Sequence, residues 1–293
     1  MSCPLCASGN TRKVWDRVYG DAAATVHHCP ECKLEFLLPL LAEAEENKFY
    51  EREYAQILLE RQGLQKLDME KYFHSKDIEI YQRLNFLKPL LDKNMRVLEI
   101  GSSSGYLLNA IRPWVAACTG IEPDPAMREF AKLKGIPTCK NLLELQGQTY
   151  DLILHYYVLE HVQHPHQFIA AIKGLHARHG MTVFEIPHGG EALIRLYDCE
   201  TYKNFAYQKA HRFYHSADSL KRLFPAPAYE ITCHCLQRYD LSNHMHWLST
   251  GKPGGTGKYK SAFSNALDEQ YRRDLAQNWL GDSLCAVVKP QGL

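Results

Sequence analysis

The sequence lacks a long apolar run and an excess of charge of either sign. No stretch approaches the roughly 18 consecutive apolar residues of a membrane-spanning helix, and the opening MSCPLCASGN does not have the pattern of a signal peptide. Its 34 Lys and Arg residues balance 33 Asp and Glu residues, which gives no general attraction to nucleic acid or to an anionic membrane. We therefore expect a cytoplasmic protein with neither a membrane nor a nucleic-acid partner.

The chain is long enough, and apolar enough, for a sizeable core. At 293 residues and 45% hydrophobic, it fits one large domain or one domain with a small appendage. It contains ten cysteines. In a reducing cytoplasm cysteines ligate metals more often than they form disulfides.

Two C-x-x-C pairs dominate the first forty residues. Cys3 and Cys6 form CPLC, Cys29 and Cys32 form CPEC, and 22 residues separate the pairs. Such pairs point four thiolates at one zinc ion, and four cysteine ligands leave no open coordination position, so this zinc would be structural. The segments KVWDRVYG and ATVHHC between the pairs predict a hairpin. A ribbon this short depends on its metal to fold.

The segment RVLEIGSSSGYLL, residues 96–108, predicts a buried strand, a tight turn and the start of a helix. Gly101 and Gly105 bracket the turn. This combination lets backbone N–H groups approach a ligand closely. A second strand ends at Glu122, 17 residues after Gly105, where an acidic side chain can hold the hydroxyls of a ribose.

Several ligands remain open at this point of the argument. The turn lacks the G-x-G-x-x-G spacing of NAD-binding proteins, so that cofactor fits less well. An ordinary doubly wound domain with another ligand, or with none, also accounts for a glycine-rich turn.

These motifs resemble the nucleoside-binding half of the class I S-adenosylmethionine (SAM)-dependent methyltransferases. The resemblance implies an α/β fold with a doubly wound, Rossmann-like, seven-stranded sheet. Ser103 stands where the family usually has glycine. The resemblance implies these cofactor-binding residues: Glu99, Gly101, Ser103, Gly105, Glu122 and Pro123.

A second match, YDLILHYYVLEHV at 150–162, resembles the fourth-strand signature of small-molecule methyltransferases. It implies that His155 and Tyr156 line the methionine and sulfonium end of SAM. For Glu160 and His161, in the following loop, we favour structural roles. The neighbouring histidines do not by themselves predict a second metal site, because no carboxylate pattern accompanies them.

A third match, KAHRFYHSADSLKRLF at 209–224, resembles zinc-ribbon-bearing sugar methyltransferases. It implies His211 as the base, with Tyr214 beside it. Ala210 stands where those enzymes carry Glu, which favours O- or N-methylation over C-methylation. His188, just after the fifth strand, is the second candidate base, because a histidine can accept a proton at neutral pH.

The predicted organisation has three parts: a zinc ribbon at 1–40, a helical linker or lid at 41–93, and a methyltransferase domain at 94–293. Within the linker, Tyr50, Tyr54 and Tyr72 are candidates to reach the cleft. A substrate-side insertion spans 240–280. We expect His246 and Trp247 there to lie on an exposed loop and stack on a sugar or another planar acceptor. The helix predicted over 262–280 would cover the cleft or pack in a homodimer.

The function predicted from these motifs is methyl transfer from SAM to a hydroxyl, amine or carbon of a small-molecule acceptor. The acceptor expected from the third match is a nucleotide-linked or polysaccharide sugar. One alternative is an RNA base methyltransferase whose ribbon recognises RNA. Another is a non-catalytic binding module with the same fold.

Overall fold

The computed structural model of the chain describes residues 2–40 and 68–292. The helix predicted from residue 41 onward, together with Tyr50 and Tyr54, lies outside the described residues. Within the described ranges, no helix has the length and apolar character needed to cross a membrane.

The chain divides into two compact units. The first unit comprises Met1–Leu40, Leu159–Pro165 and Phe184–Val288, and the second comprises Leu41–Val158, His166–Val183 and Lys289–Leu293. The strands among the described residues are β1 (Arg12–Trp15), β2 (Thr25–His28), β3 (Glu35–Leu38), β4 (Arg96–Ile100), β5 (Ala117–Ile121), β6 (Thr138–Cys139), β7 (Tyr150–Tyr156), β8 (His176–Pro187), β9 (Phe213–Tyr214), β10 (Tyr229–Leu236) and β11 (Ser283–Pro290). The α-helices are α1 (Met69–His74), α2 (Asp77–Leu87), α3 (Tyr106–Ile111), α4 (Pro125–Leu133), α5 (Pro165–Lys173), α6 (Ala192–Arg195), α7 (Glu200–Ala206), α8 (Ala217–Leu223), α9 (Leu241–Thr250) and α10 (Asn265–Gln277).

Seven strands form one sheet in the order β10-β11-β8-β7-β4-β5-β6. Strand β4 pairs in parallel with β5 on one side and with β7 on the other, and β5 pairs in parallel with β6. Helices lie between successive parallel strands along the chain, which confirms the predicted doubly wound α/β fold. Because the strand order reverses at β4, the carboxyl end of β4 is the switch point where such sheets bind ligands.

The second unit is built around strands that are buried on both faces. Val97 and Leu98 of β4 are fully buried, as expected for a central parallel strand with a continuous apolar run. Helix α4 begins as the sequence predicts: the Asp124 side chain accepts hydrogen bonds from the N–H groups of Ala126 and Met127, and Pro125 occupies the first turn. The capped helix follows directly after the tip of β5.

The first unit contains a four-stranded sheet in the order β1-β2-β3-β9. Strands β1 and β2 pair antiparallel, so the predicted hairpin is confirmed. The sequence did not reveal that β3 and β9 would join it. Glu35 of β3 lies opposite Tyr214, and Phe36 lies opposite Phe213. The segment that carries His211 is thereby hydrogen-bonded to the N-terminal forty residues.

A buried carboxylate fixes this pairing. Glu35 is almost fully buried; its carboxylate pairs with the Arg195 guanidinium and accepts a 2.8 Å hydrogen bond from the Tyr207 hydroxyl. Burial alone would raise the pKa of Glu35, but the nearby His28, whose Nδ1 is 3.6 Å from Oε1, and the charge of Arg195 lower it overall. Glu35 is therefore held as an anion at neutral pH.

The expectation for the 240–280 insertion is wrong for Trp247 and His246. These residues lie on helix α9 and are only 4% and 6% exposed, so they cannot form an exposed stacking surface. The Trp247 ring packs edge-to-face against Tyr202, with ring centroids 5.0 Å apart. The reason is local: the Asp240 side chain caps the helix by accepting from the Asn243 N–H, and the helix phase then turns both rings inward.

Candidate active site and cysteine cluster

The turn after β4 can be built only with small residues. Gly101 and Gly105 have positive φ values of 74° and 75°, a conformation that glycine adopts readily. A Cβ atom on Gly101 would lie 2.7 Å from Cγ2 of Val158. The N–H groups of Gly101 and Ser102 both donate to the Ile121 carbonyl, which ties the turn to the end of β5.

Glu122, at the tip of β5, faces this turn. One carboxylate oxygen accepts from the Ser103 N–H and the other from the Asp124 N–H, both at 2.8 Å. Burial raises the pKa of Glu122, although these hydrogen bonds oppose the rise. Each oxygen keeps a second lone pair, so the oriented carboxylate can still accept from the two hydroxyls of a ribose.

The backbone beside Glu122 is held by Arg128, a residue that no sequence motif singles out. Arg128, on the first turns of α4, donates from Nη1 to the carbonyls of Glu122 and Pro123, at 2.7 and 2.5 Å. Pro123 thus takes part in this arrangement through its main-chain carbonyl. An arginine in an exposed helical pattern carries no signal for this role.

Glu99 is buried beside the turn and is 2% exposed. Burial raises its pKa to about 8; the nearby Glu122 charge adds to the rise and Arg83 opposes it. Its Oε2 atom has no hydrogen-bond partner among the described residues. A buried polar atom without a partner is costly, and a cationic or hydrogen-bond-donating ligand would remove that cost.

Arg83 and Tyr72, from the helices before β4, also reach this region. The Arg83 guanidinium lies 4.2 Å from the Tyr156 ring centroid and donates a 2.6 Å hydrogen bond to the Tyr106 hydroxyl. The Tyr72 hydroxyl is 3.2 Å from Ser103 Oγ. Tyr72, a candidate from the sequence to reach the cleft, therefore contacts the glycine-rich turn.

His155 and Tyr156 end β7 and, as adjacent strand residues, point to opposite faces of the sheet. Tyr156 lies under Arg83. The His155 ring is fully buried and packs edge-to-face against Phe168, with centroids 5.6 Å apart. Burial lowers the pKa of His155 to about 3, so its ring is neutral at physiological pH. The structure therefore gives the two residues different surroundings.

In the first unit, His211 meets His161 and Tyr214. The ring centroids of His161 and His211 are 4.8 Å apart, and those of His211 and Tyr214 are 5.9 Å apart. The Gln208 side-chain nitrogen is 2.9 Å from Nε2 of His211. Ala210 contributes through its main chain, since its carbonyl lies 2.8 Å from Nδ1 of His161.

His188 makes its contacts elsewhere in the first unit. Its Nδ1 is 2.9 Å from the Gly281 carbonyl, so that nitrogen carries the hydrogen and donates. Burial lowers the pKa of His188 to about 4, so the ring is neutral at pH 7. Its surroundings are those of a buried, oriented imidazole.

The four N-terminal cysteines meet at one point. Sγ of Cys3 is 3.6 Å from that of Cys32, and Sγ of Cys6 is 3.6 Å from that of Cys29. These distances are far too long for a disulfide, which needs about 2 Å. They match the roughly 3.8 Å edge of a tetrahedron with zinc–sulfur bonds of 2.3 Å. The cluster is compatible with zinc.

The two C-x-x-C turns have the same backbone geometry. In each, the residue four positions after the first cysteine donates to that cysteine's carbonyl at 2.9 Å: Ala7 to Cys3, and Lys33 to Cys29. Ala7 and Lys33 have φ values of 59° and 60°, which residues other than glycine adopt uncommonly. Hydrogen bonding with Cys32 lowers the pKa of Cys3 to about 5, which favours the thiolate that binds metal.

Comparison with known proteins identifies the family. A family model described as a methyltransferase domain matches residues 72–234, more than half of the chain, so this chain belongs to the methyltransferase domain family. It is a SAM-dependent methyltransferase. No curated protein matches it.

Several solved structures share the fold at low sequence identity. A SAM-dependent methyltransferase from Archaeoglobus fulgidus is 14% identical with a TM-score of 0.52, covering 82% of this chain and 100% of that one. A complex of the Haloferax volcanii Trm112 methyltransferase activator with a methyltransferase gives 12% identity and a TM-score of 0.55, covering 76% and 95%. The plantazolicin methyltransferase BpumL, in complex with S-adenosylhomocysteine (SAH), is 12% identical with a TM-score of 0.50. The match covers 84% of this chain and 94% of that one.

Proposed function

We propose that the protein transfers the methyl group of SAM to a hydroxyl of a small-molecule acceptor, a sugar that is nucleotide-linked or part of a polysaccharide. The observation that carries this proposal is the grouping of His211 with His161 and Tyr214. The segment around them resembles the acceptor side of zinc-ribbon-bearing sugar methyltransferases. Ala210, which lacks a carboxylate, favours oxygen over carbon as the methylated atom.

The second unit supplies the cofactor residues in this proposal. Gly101, Ser103 and Gly105 let the chain approach the nucleoside, and the Glu122 carboxylate accepts from the ribose hydroxyls. Glu99 lies close enough to Glu122 for the Glu122 charge to raise its pKa, and it offers a buried carboxyl to the cationic methionine portion of SAM. In this proposal the Tyr156 ring and the Pro123 main chain also line the SAM site. His155 lines it from the end of β7.

The chemistry needs little covalent help from the protein. The sulfonium methyl group is already electrophilic, so the acceptor oxygen must be held near 3 Å from it and in line with the departing sulfur. A hydroxyl must also lose its proton during the transfer. We assign to His211 the role of assisting this proton loss, with Tyr214 orienting the His211 ring. His188 is the second candidate for the same role.

The cysteine cluster holds a structural zinc ion in this proposal. Its ligands are Cys3, Cys6, Cys29 and Cys32. Four thiolates close the coordination shell, so the ion stabilises the ribbon and takes no part in methyl transfer.

A thermal-shift experiment on zinc-loaded protein tests the proposal. S-adenosylhomocysteine (SAH) is added first, and a panel of nucleotide sugars is then added in its presence. A ligand at a hundredfold excess over its dissociation constant stabilises the folded state by about 2.7 kcal/mol. We expect a shift with SAH and a further shift with one sugar nucleotide. A further shift with an RNA oligonucleotide instead would contradict the sugar assignment, and no shift with SAH would overturn the cofactor residues.

A further inference from the structure

A second group of metal-ligating side chains lies in the first unit, apart from the four cysteines. Glu160 and His161 lie in the short 3-10 turn Leu159–His161, and His211 precedes β9. Their ligand atoms all lie within 4.8 Å of one another. The main chain holds the two segments together, because the Arg212 N–H donates to the Glu160 carbonyl at 2.8 Å.

The Glu160 carboxylate is buried without a hydrogen-bond partner among the described residues, which points to a bound ligand. Its side chain is 1% exposed, and neither carboxylate oxygen has a hydrogen-bond partner among the described residues. Nε2 of His161 is 4.0 Å from Oε1, which is too far for a hydrogen bond. A buried carboxylate without a partner is strongly unfavourable, and a bound cation would compensate it.

His161 is oriented as a metal-binding histidine usually is. Its Nδ1 lies 2.8 Å from the Ala210 carbonyl, and a carbonyl can only accept, so Nδ1 carries the hydrogen. The neutral ring then has its lone pair on Nε2, the atom on the Glu160 side. Histidine ligands commonly donate their other ring N–H to a carbonyl or carboxylate, which fixes both tautomer and ring direction.

His211 completes the group from a distant part of the sequence. Its ring meets that of His161 nearly edge-on, at an interplanar angle of 83°. The Gln208 side-chain nitrogen lies 2.9 Å from Nε2 and 3.3 Å from Nδ1 of His211. A neutral imidazole has one lone pair, so when one ring nitrogen binds a metal the other carries the hydrogen, and the Gln208 amide holds it by turning its oxygen toward that N–H.

We propose that Glu160, His161 and His211 bind one divalent transition-metal ion, for which Zn²⁺ is the test ion. Two imidazole nitrogens and one carboxylate are a ligand set that such ions favour. Three protein ligands leave at least one coordination position open, in contrast to the closed shell of the four cysteines. The ligand atoms must move closer on binding, since zinc–nitrogen bonds are about 2.0–2.1 Å long.

The open coordination position gives the ion room to bind the methyl acceptor. This role rests on the proposed function. A divalent ion binds an oxygen of the acceptor and lowers the pKa of a hydroxyl that it coordinates. The hydroxyl proton then passes to solvent water, and His211 contributes by holding the ion as a ligand. The chemical class that fits is an acceptor with an oxygen donor next to the methylated hydroxyl, such as the neighbouring hydroxyls of a sugar.

Metal content measured by mass spectrometry tests the site without any acceptor or cofactor. Protein reconstituted with Zn²⁺ and freed of excess is expected to hold two ions per chain. Glu160→Gln and His211→Ala are each expected to hold one, retained by the cysteines. The matched control is His164→Ala, which removes an exposed neighbouring histidine and should leave two ions. One ion per chain in the wild type, or two in both site variants, overturns the proposal.

A second measurement needs no variant and covers the case in which a substitution prevents folding. Wild-type protein loaded with Co²⁺ is titrated with a chelator while its absorption is followed. We expect an ion without thiolate charge-transfer absorption to leave first, because three ligands hold more weakly than four thiolates. Loss of one thiolate-bound ion alone would contradict the site. SAH binding is measured on the same samples: if it persists while the second ion is absent, the metal site fails and the cofactor assignment stands.

Discussion

The raised pKa of Glu99 leads to a measurable dependence of stability on pH. In the unfolded chain this carboxyl ionises near its ordinary pKa of 4.5, whereas in the folded, ligand-free protein its pKa is about 8. Between these values the folded state retains a proton that the unfolded state has lost. Stability must therefore fall as pH rises through this interval.

The size of the effect follows from the same two values. A rise of the pKa from 4.5 to about 8 corresponds to a loss of about 5 kcal/mol of folding free energy above pH 8, and of about 3 kcal/mol at pH 7. Within the interval the slope from this one group is about 1.4 kcal/mol per pH unit. Glu99→Gln removes the titration and hence this slope.

Urea unfolding of ligand-free, zinc-loaded protein at several pH values from 5 to 8 measures the difference. The wild type should lose stability relative to Glu99→Gln by about 1.4 kcal/mol per pH unit. Comparing slopes cancels the constant cost of burying the Gln amide and the titration of other buried groups. Glu129→Gln, an exposed position in the same unit, is the control and should run parallel to the wild type. Parallel curves for wild type and Glu99→Gln would refute the reasoning.

Three further predictions follow from the site geometry. Gly101→Ala should weaken SAH binding at least tenfold by calorimetry, because its Cβ would meet Val158 at 2.7 Å and its φ is positive; unchanged affinity would contradict the proposed close approach of the turn. His211→Ala should leave SAH binding intact and lower methyl transfer at least tenfold, whereas His164→Ala should change neither SAH binding nor methyl transfer; equal turnover in the His211 variant would remove it from the mechanism. Cys6→Ser should lose the thiolate-bound ion and lower the melting temperature, measured by metal analysis and circular dichroism; full zinc retention would argue against the four-cysteine site.

The strand, turn and helix on which the proposed cofactor residues lie could be predicted from the sequence because their signals are local. The strand, turn and helix around Gly101 and Gly105 are contiguous, and Glu122 ends the next strand along the chain. The fold determines where the ends of these strands meet, so a short stretch of sequence implies the arrangement. Asp124 and Pro125 are likewise sufficient to predict the start of α4.

The grouping of His161 with His211 could not be predicted from the sequence, because these contacts join distant segments. His161 and His211 are about fifty positions apart, and no spacing rule connects them with Glu160 into one group. The pairing of β3 with the two-residue strand β9 is equally nonlocal. Arg83 and Arg128 have ordinary positions on helices, and only the folded chain brings them to the tyrosine rings and to the β5 tip.

The insertion shows how composition can mislead. Its Gly, Asn and His content indicated a loop, yet Asp240 and Gly251 are a start and a stop signal for the intervening helix. Those two residues outweigh composition because each satisfies backbone groups at a helix end. Trp247 then becomes part of the packing of its unit.

The pairing of β3 with β9 makes the cysteine cluster and the acceptor-side histidines thermodynamically linked. The backbone bonds at Glu35 and Phe36 form only when the ribbon is folded, and His211 lies two residues before the strand they hold. If the cysteines hold zinc and His211 serves methyl transfer as proposed, an agent that removes the ion or oxidises the thiolates acts on methyl transfer through this pairing, without competing with SAM or acceptor. On that proposal, the supply of zinc and the redox state of the surroundings become inputs to the activity of the enzyme.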